Sequence, residues 1–73
     1  MPQELTVEIA SVPDRDGLVA EIWHGDAMVA EINQGQGRSL RVELYPSPRD
    51  EPLAFDLEDL MAALSEARRR LLP

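Results

Sequence analysis

The chain has 73 residues, no cysteine and no lysine, and its 14 acidic residues against 7 arginines leave a net charge of −7. So short a chain makes one domain, 1–73, whose own core supplies only about 3–5 kcal/mol. Without cysteine, and with His24 as the single imidazole, neither a disulfide nor a thiolate or His-rich metal site can add to that, so self-association is the supplement to expect.

Residues 4–12, "ELTVEIASV", alternate Leu5, Val7 and Ile9 with Glu4, Thr6 and Glu8, the two-residue period of a half-buried strand. "PDRDG" at 13–17 is turn chemistry, with Pro13 fixing φ and Gly17 accepting a positive φ. A second strand is predicted over 18–23, a short reversal at "HGD" (24–26), and a third strand over 27–33. After the looser loop "QGQGR" (34–38) comes a fourth strand, "SLRVELY", over 39–45. Connections this short join antiparallel neighbours, because parallel pairing needs long crossovers.

The tetrapeptide Val-Ala-Glu-Ile occurs at 19–22 and again at 29–32. It is read as two rungs of one hairpin, with Leu18, Ala20 and Ile22 facing the same way as Met28, Ala30 and Ile32. Each strand sets a glutamate (Glu8, Glu21, Glu31, Glu43) between two inward apolar residues.

"PSPRDEP" (46–52) carries three prolines and is neither regular strand nor helix, while "LAF" (53–55) is a candidate short fifth strand at the sheet edge. Residues 56–72, "DLEDLMAALSEARRRLL", give the strongest helix signal. Asp56 is the N-cap, Glu58 and Asp59 fill the first turn, and Arg68, Arg69 and Arg70 sit near the end, complementing the helix dipole. Leu57, Leu60, Met61, Leu64, Ala67 and Leu71 form one apolar stripe. The expected fold is α+β: a four-stranded antiparallel meander, or five-stranded with 53–55, and one C-terminal helix packed on one sheet face.

The acids are unevenly spread. Residues 1–37 hold seven acids and only Arg15, whereas residues 38–73 hold seven acids and six arginines. Displacing counterions from phosphates takes cations, so nucleic acid is not an expected partner. No apolar run approaches the ~20 residues that span a bilayer, and "MPQELTVE" lacks the basic start and apolar stretch of a secretory signal. A cytoplasmic protein with no membrane partner is expected.

Catalytic constellations are thin. His24 and Asp26 are the one pairing that suits a small acid–base enzyme, and the plainer reading is a solvated histidine in a turn tip. Glu58 and Asp59 are explained by helix capping. Asp14 and Asp16 near Gly17 lack the downstream ligands of a calcium loop. "GQG" precedes no helix, so it has no phosphate-binding context. Neither enzyme activity nor a cofactor or metal is expected. "RRR" at 68–70 suits a solvated last turn better than an anion site, and "PSPRDEP" suits a stiff connection better than a polyproline ligand.

The face turned away from the helix is more telling. It is expected to carry Val19, Trp23, Val29 and Tyr45 among Glu8, Glu21, Glu31, Arg41 and Glu43, with the parity of the reversal at 24–26 deciding the membership. Aromatics beside valines are favoured anchors of interfaces, and Val19, Glu21, Trp23, Val29, Glu31 and Tyr45 are the candidate protein-binding residues. The expected function is a non-enzymatic, acidic protein–protein interaction module that forms a homodimer through this face or a strand edge.

"DGLVAEI" at 16–22 and "FDLEDLMAALSEA" at 55–67 resemble pieces of HicB-type antitoxins, in which a strand of similar alternation precedes a helix that opens in this way. Such a resemblance implies neutralisation of a small basic RNase, and so an antitoxin or immunity-type inhibitor of a basic protein as the alternative function. The quoted pieces cover under a third of the chain. Four strands precede the helix and none follows it, and the antitoxins' DNA-binding segment has no counterpart.

Overall fold

Strand period and turn chemistry act together in the first half of the chain. A computed structural model describes residues 5–11, 17–34, 39–47 and 51–71. Four strands, β1 (Leu5–Ser11), β2 (Leu18–His24), β3 (Ala27–Gln34) and β4 (Leu40–Leu44), make an open antiparallel sheet in the order β1-β2-β3-β4. One helix, α1 (Leu57–Leu71), follows and packs on β1 and β2. The α+β meander with its helix on one face is therefore as the periodicity requires. The predicted turn at 13–16, the loop at 35–38, part of the proline-rich segment at 48–50, and the strand and helix ends at Glu4, Val12 and Leu72 lie outside the described residues.

Local chemistry accounts for the boundaries. Gly25 has φ 65° in the two-residue turn between the paired residues His24 and Ala27, the left-handed conformation that tight hairpins need because it matches the twist of the strands. At the helix start, Asp56 Oδ1 accepts hydrogen bonds from the backbone N–H of Glu58 (2.9 Å) and Asp59 (3.3 Å). The same residue's carbonyl accepts the first helical bond from Leu60 (3.0 Å), so Asp56 is the N-cap.

Residues 53–55 do not form a fifth strand. Pro52 has no N–H to give to a ladder, and Phe55 instead sets its ring against His24, centroids 5.2 Å apart and planes at 78°. His24 likewise is not the tip of a turn. It closes β2 and is half buried.

The hairpin departs from simple alternation at one point. Ile22 pairs with Ala30 but Trp23 pairs with Met28, which leaves Val29 as an extra residue in β3. This is a β-bulge. The carbonyl of Val29 accepts a hydrogen bond from Tyr45 N–H (3.0 Å) just beyond β4, so the irregularity is tied to the neighbouring strand. Met28 consequently lies opposite Trp23 rather than beside Ala30 and Ile32, and Val29 joins the helix-side core.

That core consists of Ala20, Ile22, Val29, Ala30 and Ile32 from the sheet and Ala63 and Ala67 from the helix, with Leu5, Val7, Ile9, Leu40, Phe55, Leu64 and Leu71 packed around it. The two helix alanines bring α1 close to the sheet because they hold no bulk between the layers. Ile22 is the largest of the fully buried side chains. Cutting it back to alanine removes about 2–5 kcal/mol, comparable with the whole stability of so small a domain. Ile22→Ala is therefore expected to be largely unfolded at 25 °C, read as loss of the cooperative transition in urea-dependent circular dichroism.

Candidate functional site

The pairing register sorts the outer face of the sheet, the one without the helix, into rows. Glu8 lies opposite Glu21, Glu21 opposite Glu31, and Glu31 opposite Glu43. Four glutamates thus run side by side across all four strands. Thr6, Trp23 and Met28 make the row on one side of them, and Ala10–Val19 and Asn33–Arg41 are the pairs on the other. Directly opposed side chains have Cβ atoms about 5 Å apart, and like charges so placed destabilise a sheet.

Among the described residues, Asn33 and Trp23 donate to this row and offset that repulsion. Asn33 Nδ2 donates to Glu31 Oε2 and to Glu43 Oε2, both at 2.7 Å, and Trp23 Nε1–H donates to Glu21 Oε1 at 3.2 Å. Asn33 is buried, and its Oδ1 has no hydrogen-bond partner among the described residues, so this amide is held by its donor side.

The candidate residues Val19, Glu21, Trp23, Val29, Glu31 and Tyr45 are not gathered into one exposed patch. Val19 is fully buried and Glu31 is buried at 7% exposure. Trp23, Glu21 and Tyr45 are half buried. Val29 has left this face altogether, because the bulge turns it to the helix-side core. What the outer face offers is a glutamate row with Trp23 next to it.

The helix side is the half-covered one. Helix α1 packs on β1 and β2, and Arg70 fixes it there, donating to the Val7 carbonyl of edge strand β1 at 3.0 Å while pairing with Glu66 at 3.3 Å. Asp59, Ala62 and Glu66 line a cleft together with Leu5 and Val7, which places that flank of the helix over β1. At 100° per residue, Leu57, Met61 and Leu64 lie on the opposite flank, toward β3 and β4. On β4, Val42 and Leu44 share the helix-side face with their partners Ile32 and Ala30. Val42 is 48% exposed, Leu44 73%, Leu57 67% and Met61 53%. An apolar groove therefore runs between the helix flank and β4, a feature absent from the sequence reading. Its one signal there was that the apolar positions of 57–71 outnumber those a single contact face accommodates.

At the end of this groove, His24, Asp26, Val29, Ser47, Glu51 and Phe55 are among the residues around a cleft of about 520 Å³. It brings a serine, the histidine and an aspartate into one place. Among the described residues, however, His24 is hydrogen bonded to neither Ser47 nor Asp26, and its ring is engaged with Phe55. No group of three or more His, Cys, Asp or Glu able to hold a metal ion occurs among the described residues, and no helix there is long and apolar enough to cross a membrane.

No family model matches the chain, and neither a curated protein nor a solved structure matches it.

The carboxylate row predicts a sharp asymmetry at Asn33. Replacing it with aspartate removes two donors to charged acceptors, each worth about 1.5–3 kcal/mol, and adds a fifth negative charge. Asn33→Asp is expected to shift the urea midpoint to the point of unfolding at neutral pH, whereas Glu21→Gln, which retains an acceptor for Trp23, is expected to raise stability by about 0.2–1 kcal/mol.

Proposed function

We propose that this protein is a cytoplasmic, non-enzymatic interaction module that works by presenting surfaces and associates with itself. The supporting observation is the half-covered sheet, with Val42, Leu44, Leu57 and Met61 exposed on the helix side. Large apolar side chains gathered along one groove are characteristic of association sites, and a domain with so small a core gains stability by mass action when it binds a partner. The groove replaces the outer face as the self-association surface, since Val19 is sealed and Val29 faces the other way.

Sedimentation of the purified protein over ~1–200 µM is expected to show reversible self-association, in the range where interfaces of modest size form. Leu44→Asp places a charge on the most exposed apolar side chain of the groove and is expected to leave a folded monomer. Self-association unaltered by that change would remove the groove from the reading.

A second reading has its own support. On the outer face Glu8 is exposed and Glu21 half buried, with Trp23 beside them as an anchor, which suits an inhibitor or immunity-type protein that occludes a basic protein such as a nuclease. Charge of this kind steers encounter. Association with an arginine-rich protein probe is expected to slow on the order of tenfold or more between low and physiological salt and to be abolished by Glu8→Lys with Glu21→Lys. An on-rate indifferent to salt counts against it.

A further inference from the structure

We infer that the free edge of β4 is a dimer seam: it pairs antiparallel with β4 of a second copy about a two-fold axis at Val42, joining two sheets into one. This deepens the self-association reading above and rests on it.

The two edges of the sheet differ. On β1, Arg70 takes the Val7 carbonyl, so a strand adding there has to displace the guanidinium. On β4 the phase of the backbone is fixed by its inner side. Tyr45 N–H donates to the Val29 carbonyl, in line with the register that sets Glu43 against Glu31 and Arg41 against Asn33. Hydrogen-bonded and non-hydrogen-bonded pairs alternate along an antiparallel ladder. Arg41, Glu43 and Tyr45 therefore turn their backbone groups to β3, and Leu40, Val42 and Leu44 turn theirs away from it. Such an edge is a template for another strand. It stops at Leu44, because Pro46 has no N–H to offer.

The sequence of this edge is its own complement. Leu40-Arg41-Val42-Glu43-Leu44, run against a second copy of itself, places Val42 opposite Val42, Leu40 opposite Leu44 and Arg41 opposite Glu43. Each contact away from the axis is made twice, as a two-fold interface requires. Leu40, Val42 and Leu44 then supply the hydrogen-bonded pairs. Arg41 and Glu43 fall at the non-hydrogen-bonded positions, where opposed side chains come closest, with Cα atoms about 4.5 Å apart. Sliding one strand by two residues is the smallest step that keeps the outward groups in phase. It sets Arg41 against Arg41 or Glu43 against Glu43, so charge selects a single register.

Both faces gain from this pairing. On the outer face, the row Glu8, Glu21, Glu31, Glu43 ends on Arg41 of the second copy, a cation next to the last carboxylate. On the helix side, Val42 and Leu44, 48% and 73% exposed, lie beside Val42 and Leu40 of the second copy. Strand β1 of a second copy fits less well. Its Glu8 stands between Thr6 and Ala10 on that face, with no cation for Glu43, and head-to-tail addition continues into an open filament.

The test is charge reversal in the full chain, read by sedimentation equilibrium with circular dichroism as the check on folding. Arg41→Glu alone and Glu43→Arg alone each set like charges across the seam, and each is expected to weaken self-association roughly tenfold. Mixing the two variants sets opposite charges at every such contact, and is expected to restore association as a heterodimer to within about threefold of the original. Arg41 and Glu43 lie on the face opposite the groove, so association through the groove alone does not respond to them. Val42→Pro tests the backbone separately. It removes an N–H that points away from β3, so the sheet keeps its own bonds while the central rung of the seam is lost, and a folded monomer is expected. Association indifferent to the single reversals, or a mixture no stronger than the separate variants, overturns the edge pairing. Self-association through the groove then stands if Leu44→Asp still dissociates the protein. A protein that stays monomeric at about 200 µM overturns both.

Discussion

The structure depends on a mismatch of widths. Four strands joined by short connections must lie side by side, because each connection reaches only the neighbouring strand, and the chain then supplies one helix of 15 residues to cover them. The helix cannot cover the whole sheet. It settles over β1 and β2, where Ala63 and Ala67 allow a close approach to Ala20 and Ile22, and where Arg70 finds the free carbonyl of the β1 edge. Everything exposed at β4 and on the outward flank of α1 follows from that placement.

The outer face solves a different problem. Antiparallel register places the glutamates of neighbouring strands directly opposite each other, and four such residues in line are unfavourable if nothing intervenes. Asn33 intervenes, bridging Glu31 and Glu43 with one amide nitrogen, and the Trp23 indole N–H donates to Glu21. The tryptophan therefore has a structural duty as well as a surface, which is why its exposure is only partial. A face closed over in this way leaves Val19 buried and little apolar side chain exposed. The exposed apolar side chains of β4 and α1 and the glutamate row thus fall on opposite sides of the same sheet.

Much of this was legible in the chain. The two-residue period of β1 and β2, the Gly25 reversal, the Asp56 cap and the acidic-to-basic gradient of α1 are local properties, each set by residues within a few positions of one another. What escaped was non-local. Met28, Val29 and Ala30 are consecutive apolar residues, so alternation has no preference for which of them faces the helix, and the bulge at Val29 is chosen only by pairing with β2 and by Tyr45 reaching its carbonyl. The fifth strand failed for a related reason. "LAF" has the composition of a strand, but the ring of Phe55 finds His24 instead of a ladder.

The sequence by itself determined the elements, their order, their antiparallel sense and the charge carried at each end of the helix, because short-range sterics, turn geometry and periodicity are written in adjacent residues. The tertiary structure alone decided which flank of α1 stays bare, that Val29 turns to the helix side, and that Val19 is sealed while Leu44 is open. Those outcomes depend on register and on where a narrow helix lands on a wider sheet, and both are set by contacts between residues far apart in the chain.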